Sequence, residues 1–312
     1  MPHRSHPTAA LALAVLAALA AGGWAVRSPQ TSTEVTWLPA APRQGWVVRI
    51  VVHPDTGRAA VAELWGRTAG QPLHFERGPN GGFHAFAPIP VDAEGSLGVS
   101  LTVRHADGEV RRLRRQIPVA AAHFTMEQLE VAPRFVEPPD SALQARIDRE
   151  FAQAFEVSRS SHRTPRLWNR RFIRPVDGRV TSEFGQGREF NERIQSRHMG
   201  VDLSGVTGTP IRAAGRGVVA LIGDFYYAGN VVYLDHGRGL VTAYLHMSEV
   251  AVARGDTVEQ GTLLGRVGAT GRVTGPHLHW IARYGTVSFD GLALLTLDPP
   301  PFDAAPRPAA EP

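Results

Sequence analysis

An all-β protein is predicted: an N-terminal β-sandwich of immunoglobulin-like type, a helical linker, and a compact glycine-rich β domain at the C-terminal end. Three observations predict it. From about residue 33 to 124, short apolar runs are cut by Gly, Pro and Asp. One stretch near residues 140–155 carries helical spacing. From about 171 to 300, glycines recur every few residues with short Val/Ile/Leu runs between them.

Residues 1–27 read as a signal peptide or signal anchor. His3, Arg4 and His6 make a weakly basic start, and an Ala/Leu/Val run from Ala9 to Ala21 follows, with Ala18-Leu19-Ala20 as a small-residue cleavage site. If Gly22 to Val26 is included, the apolar stretch approaches the length of a membrane span, so an uncleaved anchor is the alternative. Either one places the rest of the chain outside the cytoplasm, in an extracytoplasmic and periplasmic setting. Membrane contact is expected only through that anchor.

The sandwich is expected over residues 33–124. Trp46–Val52, Ala60–Trp65 and Leu97–Val103 are its clearest strands, the last running into the turn Ala106-Asp107-Gly108. Arg111, Arg112, Arg114 and Arg115 follow that turn. They read as the charged guard of an edge strand, not as a nucleic-acid patch. Residues 125–170 hold the helix and linker. Asp140 is placed to cap the helix, with Leu143, Ile147, Phe151 and Phe155 along one face at spacing four. Ser158 to Arg170 is polar and reads as the linker proper. The second domain occupies 171–300, and nothing in it is long and periodic enough to predict a helix. The Pro/Ala-rich end, 301–312, is expected to be a disordered tail.

Composition excludes several chemistries. The 312 residues contain no cysteine, so a disulfide framework, a thiol nucleophile and a thiolate metal site are ruled out. All the Lys+Arg cations are arginine. The absence of lysine excludes a swinging-arm carrier, a module of similar glycine-rich β character that needs a lysine for its prosthetic group. A net charge of +4 and a pI near 10.0 suit an anionic partner such as cell wall, without choosing one.

Three segments of the second domain share a pattern. Side chains alternate faces along a strand, so residues i and i+2 lie together. In His198–Leu203, the apolar Met199, Val201 and Leu203 take one face and His198 and Asp202 the other, with Gly200 leaving space between them. In Leu240–His246, Val241, Ala243 and Leu245 are expected on the core face, with Thr242, Tyr244 and His246 opposite. In His277–Trp280, Leu278 and Trp280 face inward and His277 and His279 outward. Four histidines and one aspartate thus offer three ligands and two helpers for a catalytic zinc, which takes three protein ligands and keeps a position for water. Periodicity does not separate ligands from helpers. His236, at Asp235-His236-Gly237, reads as structural. His53, His74, His84, His105, His123 and His162 lie outside this domain without ligand spacing.

From about Phe172 to Pro299 the chain resembles the lysostaphin-type zinc metallopeptidases of bacterial cell-wall turnover. The resemblance rests on Ser182-Glu-Phe-Gly185, His198-Met-Gly-Val-Asp202, Gly208-Thr-Pro210, Ala213–Val218, Tyr244-Leu-His246, Gly255–Gly261 and Gly268–His279. It implies that the second domain is a zinc metallopeptidase domain and that peptidoglycan is the partner and substrate. It implies His198, Asp202 and His279 as the Zn2+ ligands, and His246 and His277 as the catalytic pair. Met247 replaces the leucine usual in that family. The expected function is a zinc-dependent endopeptidase that hydrolyses the peptide cross-links of peptidoglycan. The rival is a non-catalytic relative that binds cell wall and activates another hydrolase. Such relatives typically lose ligands or catalytic histidines, and all five positions stand here.

Overall fold

The computed structural model describes residues 32–78 and 80–297. The expected leader at 1–27 and tail at 301–312 lie outside the described residues.

Eight strands make the N-terminal unit: β1 (Glu34–Leu38), β2 (Val47–His53), β3 (Val61–Thr68), β4 (Gln71–Leu73), β5 (Glu76–Arg77), β6 (Phe83–Pro88), β7 (Ser96–His105) and β8 (Val110–Pro118). They pair as two sheets, β1-β2-β6-β5 and β4-β3-β7-β8. Val48, Ile50, Ala85 and Ala87 of one sheet and Val99, Leu101 and Ile117 of the other share one buried cluster, which makes the pair a sandwich. The alternation on β7 is clean, with Leu97, Val99, Leu101 and Val103 buried. Strand β8, with its four arginines, is the outer strand of its sheet, where charge deters pairing with another chain.

The chain then forms β9 (Met126–Leu129) and helix α1 (Ser141–Ser160). Asp140 caps α1, its carboxylate accepting from the Leu143 amide at 2.8 Å. The predicted apolar face needs correcting. Ile147, Ala154 and Ser158 are the buried positions, and Phe151 is 53% exposed. At 3.6 residues per turn, a stripe of spacing four drifts by ~40° per step around the helix. Phe151 lies at the edge of the packed face, whereas Phe155 is partly covered, with Arg283 over its ring.

The polar stretch that follows is no free linker. Ser158 and Ser161 are buried, and the Leu167 amide donates to the His236 carbonyl at 2.9 Å. The Trp168 ring lies 5.5 Å from Phe86 of the sandwich and 5.2 Å from Phe172 of the second domain. Its indole thus ties the two units together, although the flanking polar residues conceal it in the sequence.

The C-terminal unit holds β10 (Val180–Ser182), β11 (Gly187–Phe190), β12 (Ile194–Arg197), β13 (Val201–Ser204), β14 (Pro210–Arg212), β15 (Gly217–Phe225), β16 (Gly229–Gly237), β17 (Leu240–Val250), β18 (Thr257–Val258), β19 (Leu263–Val267), β20 (His277–Tyr284) and β21 (Val287–Phe289). A short helix, α2 (Gly291–Thr296), follows where none was expected; its six residues are too few to show a helical period. The main sheet runs β10-β13-β20-β17-β16-β15-β18, with β14, β19 and β21 attached. A smaller sheet, β12-β11-β9, takes its third strand from the segment between the two units, paired in parallel with β11.

Both faces of the main sheet are covered. Val201, Leu203, Tyr244, Leu278 and Trp280 pack into a core with Trp168 and Phe172. Val241, Ala243, Leu245 and Ile281 face the other way, toward Ala154 of α1. The candidate site opens on this second face. Among the described residues, no helix is long and apolar enough to cross a membrane.

Candidate metal centre

Register brings the first residues together. Strands β13 and β20 are antiparallel with Asp202 directly opposite His279, so both side chains leave the sheet on the same face. His198 stands just before β13. Its backbone is pinned on both sides, its amide donating to the Gln186 carbonyl and its carbonyl accepting from the Gly185 amide, each at 2.8 Å.

The three side chains converge on one point. His198 Nε2 lies 3.1 Å from Asp202 Oδ1, His279 Nδ1 lies 2.7 Å from the same oxygen, and the two nitrogens are 2.9 Å apart. With bonds of ~2.0–2.2 Å and tetrahedral angles, ligand atoms around zinc lie about 3.3 Å apart. The trio is a slightly contracted version of that triangle, and its donors, two imidazoles and a carboxylate, are those a divalent metal takes. His198 Nδ1 donates to the Glu183 carbonyl at 2.8 Å, which leaves Nε2 as the free lone pair.

Electrostatics favour ligation. Burial pushes the imidazole of His279 down to about 4 against the opposing pull of Asp202, so the ring is neutral at pH 7. Burial alone would raise Asp202. The close contacts with the His198 and His279 rings outweigh it and hold the carboxyl well below the usual carboxylate range. A neutral imidazole and an ionised carboxylate are the ligating forms.

His246 reaches the site by a route that alternation does not predict. Counting along β17 places it with Tyr244, on the face away from Leu245. The strand bulges instead: Val232 pairs with Tyr244 and Asn230 with Met247, so two residues of β17 oppose one of β16. His246 sits in the bulge with φ +62°, a left-handed conformation uncommon for a non-glycine residue, and its ring turns toward His277 and His279. Thr242 and Tyr244 do not share its face. They are fully buried in the main core, where His236 Nε2 meets Thr242 Oγ1 at 2.8 Å and His236 Nδ1 donates to the Arg216 carbonyl. His236 is thus a satisfied core histidine.

The two remaining imidazoles are anchored alike. His246 Nδ1 donates to the Thr270 carbonyl and His277 Nδ1 to the Gly275 carbonyl, each at 2.8 Å. Each Nε2 is left as the basic nitrogen. The His277 Nε2 is 3.7 Å from Asp202 Oδ1, and the His246 and His277 ring centres are 5.0 Å apart. Burial, together with the neighbouring His279 and His277, holds His246 well below the ordinary histidine range.

Residues without an assigned role in the sequence complete the surroundings. Arg188 of β11 forms an ion pair with the second oxygen of Asp202, and its Nε donates to Glu127 of β9 at 3.1 Å. Ser182 Oγ lies 3.1 Å from His198 Nδ1 and donates to Glu127 at 2.8 Å. Ser182 belongs to the motif Ser182–Gly185, whereas Glu127 is more than fifty positions away and no spacing links it to the site. His74 and His162 pair with each other at 2.9 Å, apart from the centre.

Gly200 has a different use from the one its spacing suggests. A Cβ there would lie 2.6 Å from His279 Nε2 and 2.8 Å from the Trp280 carbonyl oxygen, so the missing side chain is the room the His279 ring occupies. Gly200→Ala is expected to displace His279 and weaken metal binding by about 10–100-fold, as loss of a supporting contact does in metal sites. Titration with a competing chromophoric chelator measures this, and an unchanged affinity would show that the ring has slack.

Two imidazoles and a carboxylate at one apex form a donor set that could hold a divalent metal, and two further imidazoles stand beside it. Known proteins agree. The profile of peptidase family M23 matches residues 196–290, which contain all five residues, and this part of the chain is a peptidase family M23 domain. Over 110 residues the chain is 42% identical to the peptidoglycan DD-endopeptidase ShyA of Vibrio cholerae serotype O1, spanning 34% of this chain and 25% of that protein. Over 105 residues it is 40% identical to the DD-carboxypeptidase/endopeptidase Mpg of Neisseria meningitidis serogroup B, spanning 34% and 24%. The matched part is thus about a quarter of the length of these relatives. A crystal structure described as a peptidase M23 from Pseudomonas aeruginosa superposes with TM-score 0.61 at 29% identity, covering 81% of this chain and 95% of that one. The sandwich, helix and second domain therefore share an overall architecture with a solved structure.

Proposed function

We propose that this protein is a zinc-dependent endopeptidase that hydrolyses peptide cross-links of peptidoglycan outside the cytoplasm. His198, Asp202 and His279 hold the metal, and His246 and His277 are the catalytic pair. The observation that carries this reading is the arrangement of five side chains. Three donor atoms lie within 4.8 Å of one another, and two imidazoles with carbonyl-anchored Nδ1 atoms present a basic Nε2 beside them. Zinc bound there would polarise the scissile carbonyl and lower the pKa of a bound water to about 7.

The chain's own residues supply the remaining steps. The Nε2 of one of the catalytic pair accepts the proton of the attacking water and returns it to the leaving amine. The other, protonated, donates to the oxyanion of the tetrahedral intermediate. The Thr270 and Gly275 carbonyls accept from both Nδ1–H groups, which orients each ring so that Nε2 faces the reaction, as a lone pair in the neutral ring and as a donor in the protonated one. Asp202 remains ionised throughout, held by the histidines and by Arg188. A non-catalytic binding role would leave this double anchoring without purpose.

The names of the Vibrio and Neisseria relatives support a bond between D-centres, such as D-alanine to diaminopimelate, over a glycine bridge. The test is digestion of purified sacculi with mass readout of the soluble products. Expected are fragments one water heavier than the linked species, lost on chelation and restored by zinc. Intact sacculi with zinc-loaded protein would contradict the proposal.

A further inference from the structure

Beside the metal centre lies a cavity of ≈ 510 Å³ with His198, His246 and His279 at one end. Its floor is the outer face of the main sheet, and its far wall is α1, through Ile147, Phe151, Ala154 and Phe155. Most of the lining is apolar. Four arginines interrupt it: Arg188 is held by Asp202 and Glu127, Arg197 donates to the Gly185 carbonyl, Arg272 lies over the Phe190 and Tyr227 rings, and Arg283 stands at the opposite end.

Arg283 is on β20 with His279 and Ile281, at i, i+2 and i+4 of one face, and all three line the cavity. At ~3.3 Å per strand residue, its Cα lies about 13 Å from that of His279. The residue is only 8% exposed. Its Nε donates to Ser288 Oγ at 3.3 Å, and the guanidinium lies over the Phe155 ring at 4.7 Å. Its Nη1 has no hydrogen-bond partner, and no acidic residue pairs with it among the described residues. Glu150, the carboxylate that lines the same cavity, is engaged by Arg146 at 2.6 Å and by the Tyr226 amide at 2.8 Å. A buried guanidinium with no anion is costly unless something else supplies the charge.

We infer that Arg283 is a carboxylate-binding subsite: it captures a free carboxylate of the substrate peptide about three to four extended residues from the cleaved bond, with the intervening small side chains against the apolar walls. The inference rests on the peptidase reading above and adds to it a requirement on the substrate, an anionic group at a fixed distance. A guanidinium suits this task because its planar fork of donors matches a carboxylate in two parallel hydrogen bonds. Ser288 and Phe155 hold the fork in place.

The test uses the full chain and synthetic cross-linked stem peptides, either with all carboxylates free or with each amidated in turn. Two quantities are read: dissociation constants with metal removed by chelator, and kcat and KM with zinc restored. For the native protein, amidation of one particular carboxylate should weaken binding by about tenfold or more, the scale of losing a charge-assisted pair. The other amidations should have little effect. Arg283→Met should bind the free-acid peptide as weakly as the native protein binds the amidated one, and should no longer distinguish them. Arg283→Lys should restore part of the discrimination, and KM should carry most of the change. If the native protein binds and cleaves every amidated peptide as well as the free acid, the subsite is refuted while the peptidase reading stands. If no peptide is bound or cleaved, the peptidase reading fails and the subsite with it. The amidation series on the native protein decides the matter even if Arg283→Met does not fold.

Discussion

His279→Ala should yield a protein that purifies without metal. In the native chain, elemental analysis should find close to one zinc per molecule; in the variant it should find almost none. The geometry gives the reason: His279 Nδ1 is one of three donors, 2.9 Å from His198 Nε2 and 2.7 Å from Asp202 Oδ1, and the two that remain cannot define a closed site. A ligand that binds only the folded state at a hundredfold excess over its dissociation constant adds about 2.7 kcal/mol to stability. For a domain of this size, that is roughly 5–10 °C in melting temperature. Added zinc should therefore raise the native melting temperature by this amount and leave His279→Ala unmoved. A variant that retained stoichiometric zinc would remove His279 from the ligand set.

The second large effect separates two histidines only two residues apart. His277→Ala should keep near-stoichiometric zinc and the zinc-dependent melting shift, yet lose hydrolysis by about 10²–10⁴-fold, the usual worth of a positioned acid–base group. His246→Ala should behave in the same way. Neither ring is among the three converging donors, and each is tied through Nδ1 to a loop carbonyl. His246 carries a further structural cost, since its left-handed backbone is a strain of about 1–3 kcal/mol that the bulge sustains. His246→Gly should relieve that strain while still abolishing activity. It should thus be more stable than His246→Ala, a comparison made by urea denaturation. If His277→Ala arrived free of metal while His279→Ala held it, the assignments would have to be exchanged.

Different parts of this account were legible in the sequence to different degrees, for physical reasons. Strand β7 could be read because one of its faces is wet, so that it alternates residue by residue, and β2 because, covered on both faces, it is a nearly continuous apolar run. The edge position of β8 followed from its four arginines. The pairing of Asp202 with His279 follows alternation on β13 and β20, where both strands are regular. His246 was placed on the polar face by alternation with Thr242 and Tyr244, but it reaches the site by a bulge, which resets alternation and leaves no mark in residue type. Thr242 and Tyr244 look like polar-face residues but close a buried hydrogen-bond chain with His236. Arg188 and Glu127 were invisible as partners because an ion pair between residues 61 apart has no local signature. Trp168 was hidden in the same way, its burial depending on Phe86 of the other unit.

The central claim is the division of the five residues into three ligands and two helpers. Crystals grown with zinc, and an anomalous difference map at the zinc edge, test it most directly. One strong peak is expected, bounded by His198 Nε2, Asp202 and His279 Nδ1 at about 2.0–2.2 Å, with the Nε2 atoms of His246 and His277 outside bonding distance. A peak bonded to His246 or His277 in place of one of those three, or no peak there in crystals of protein that still opens sacculi, would contradict it.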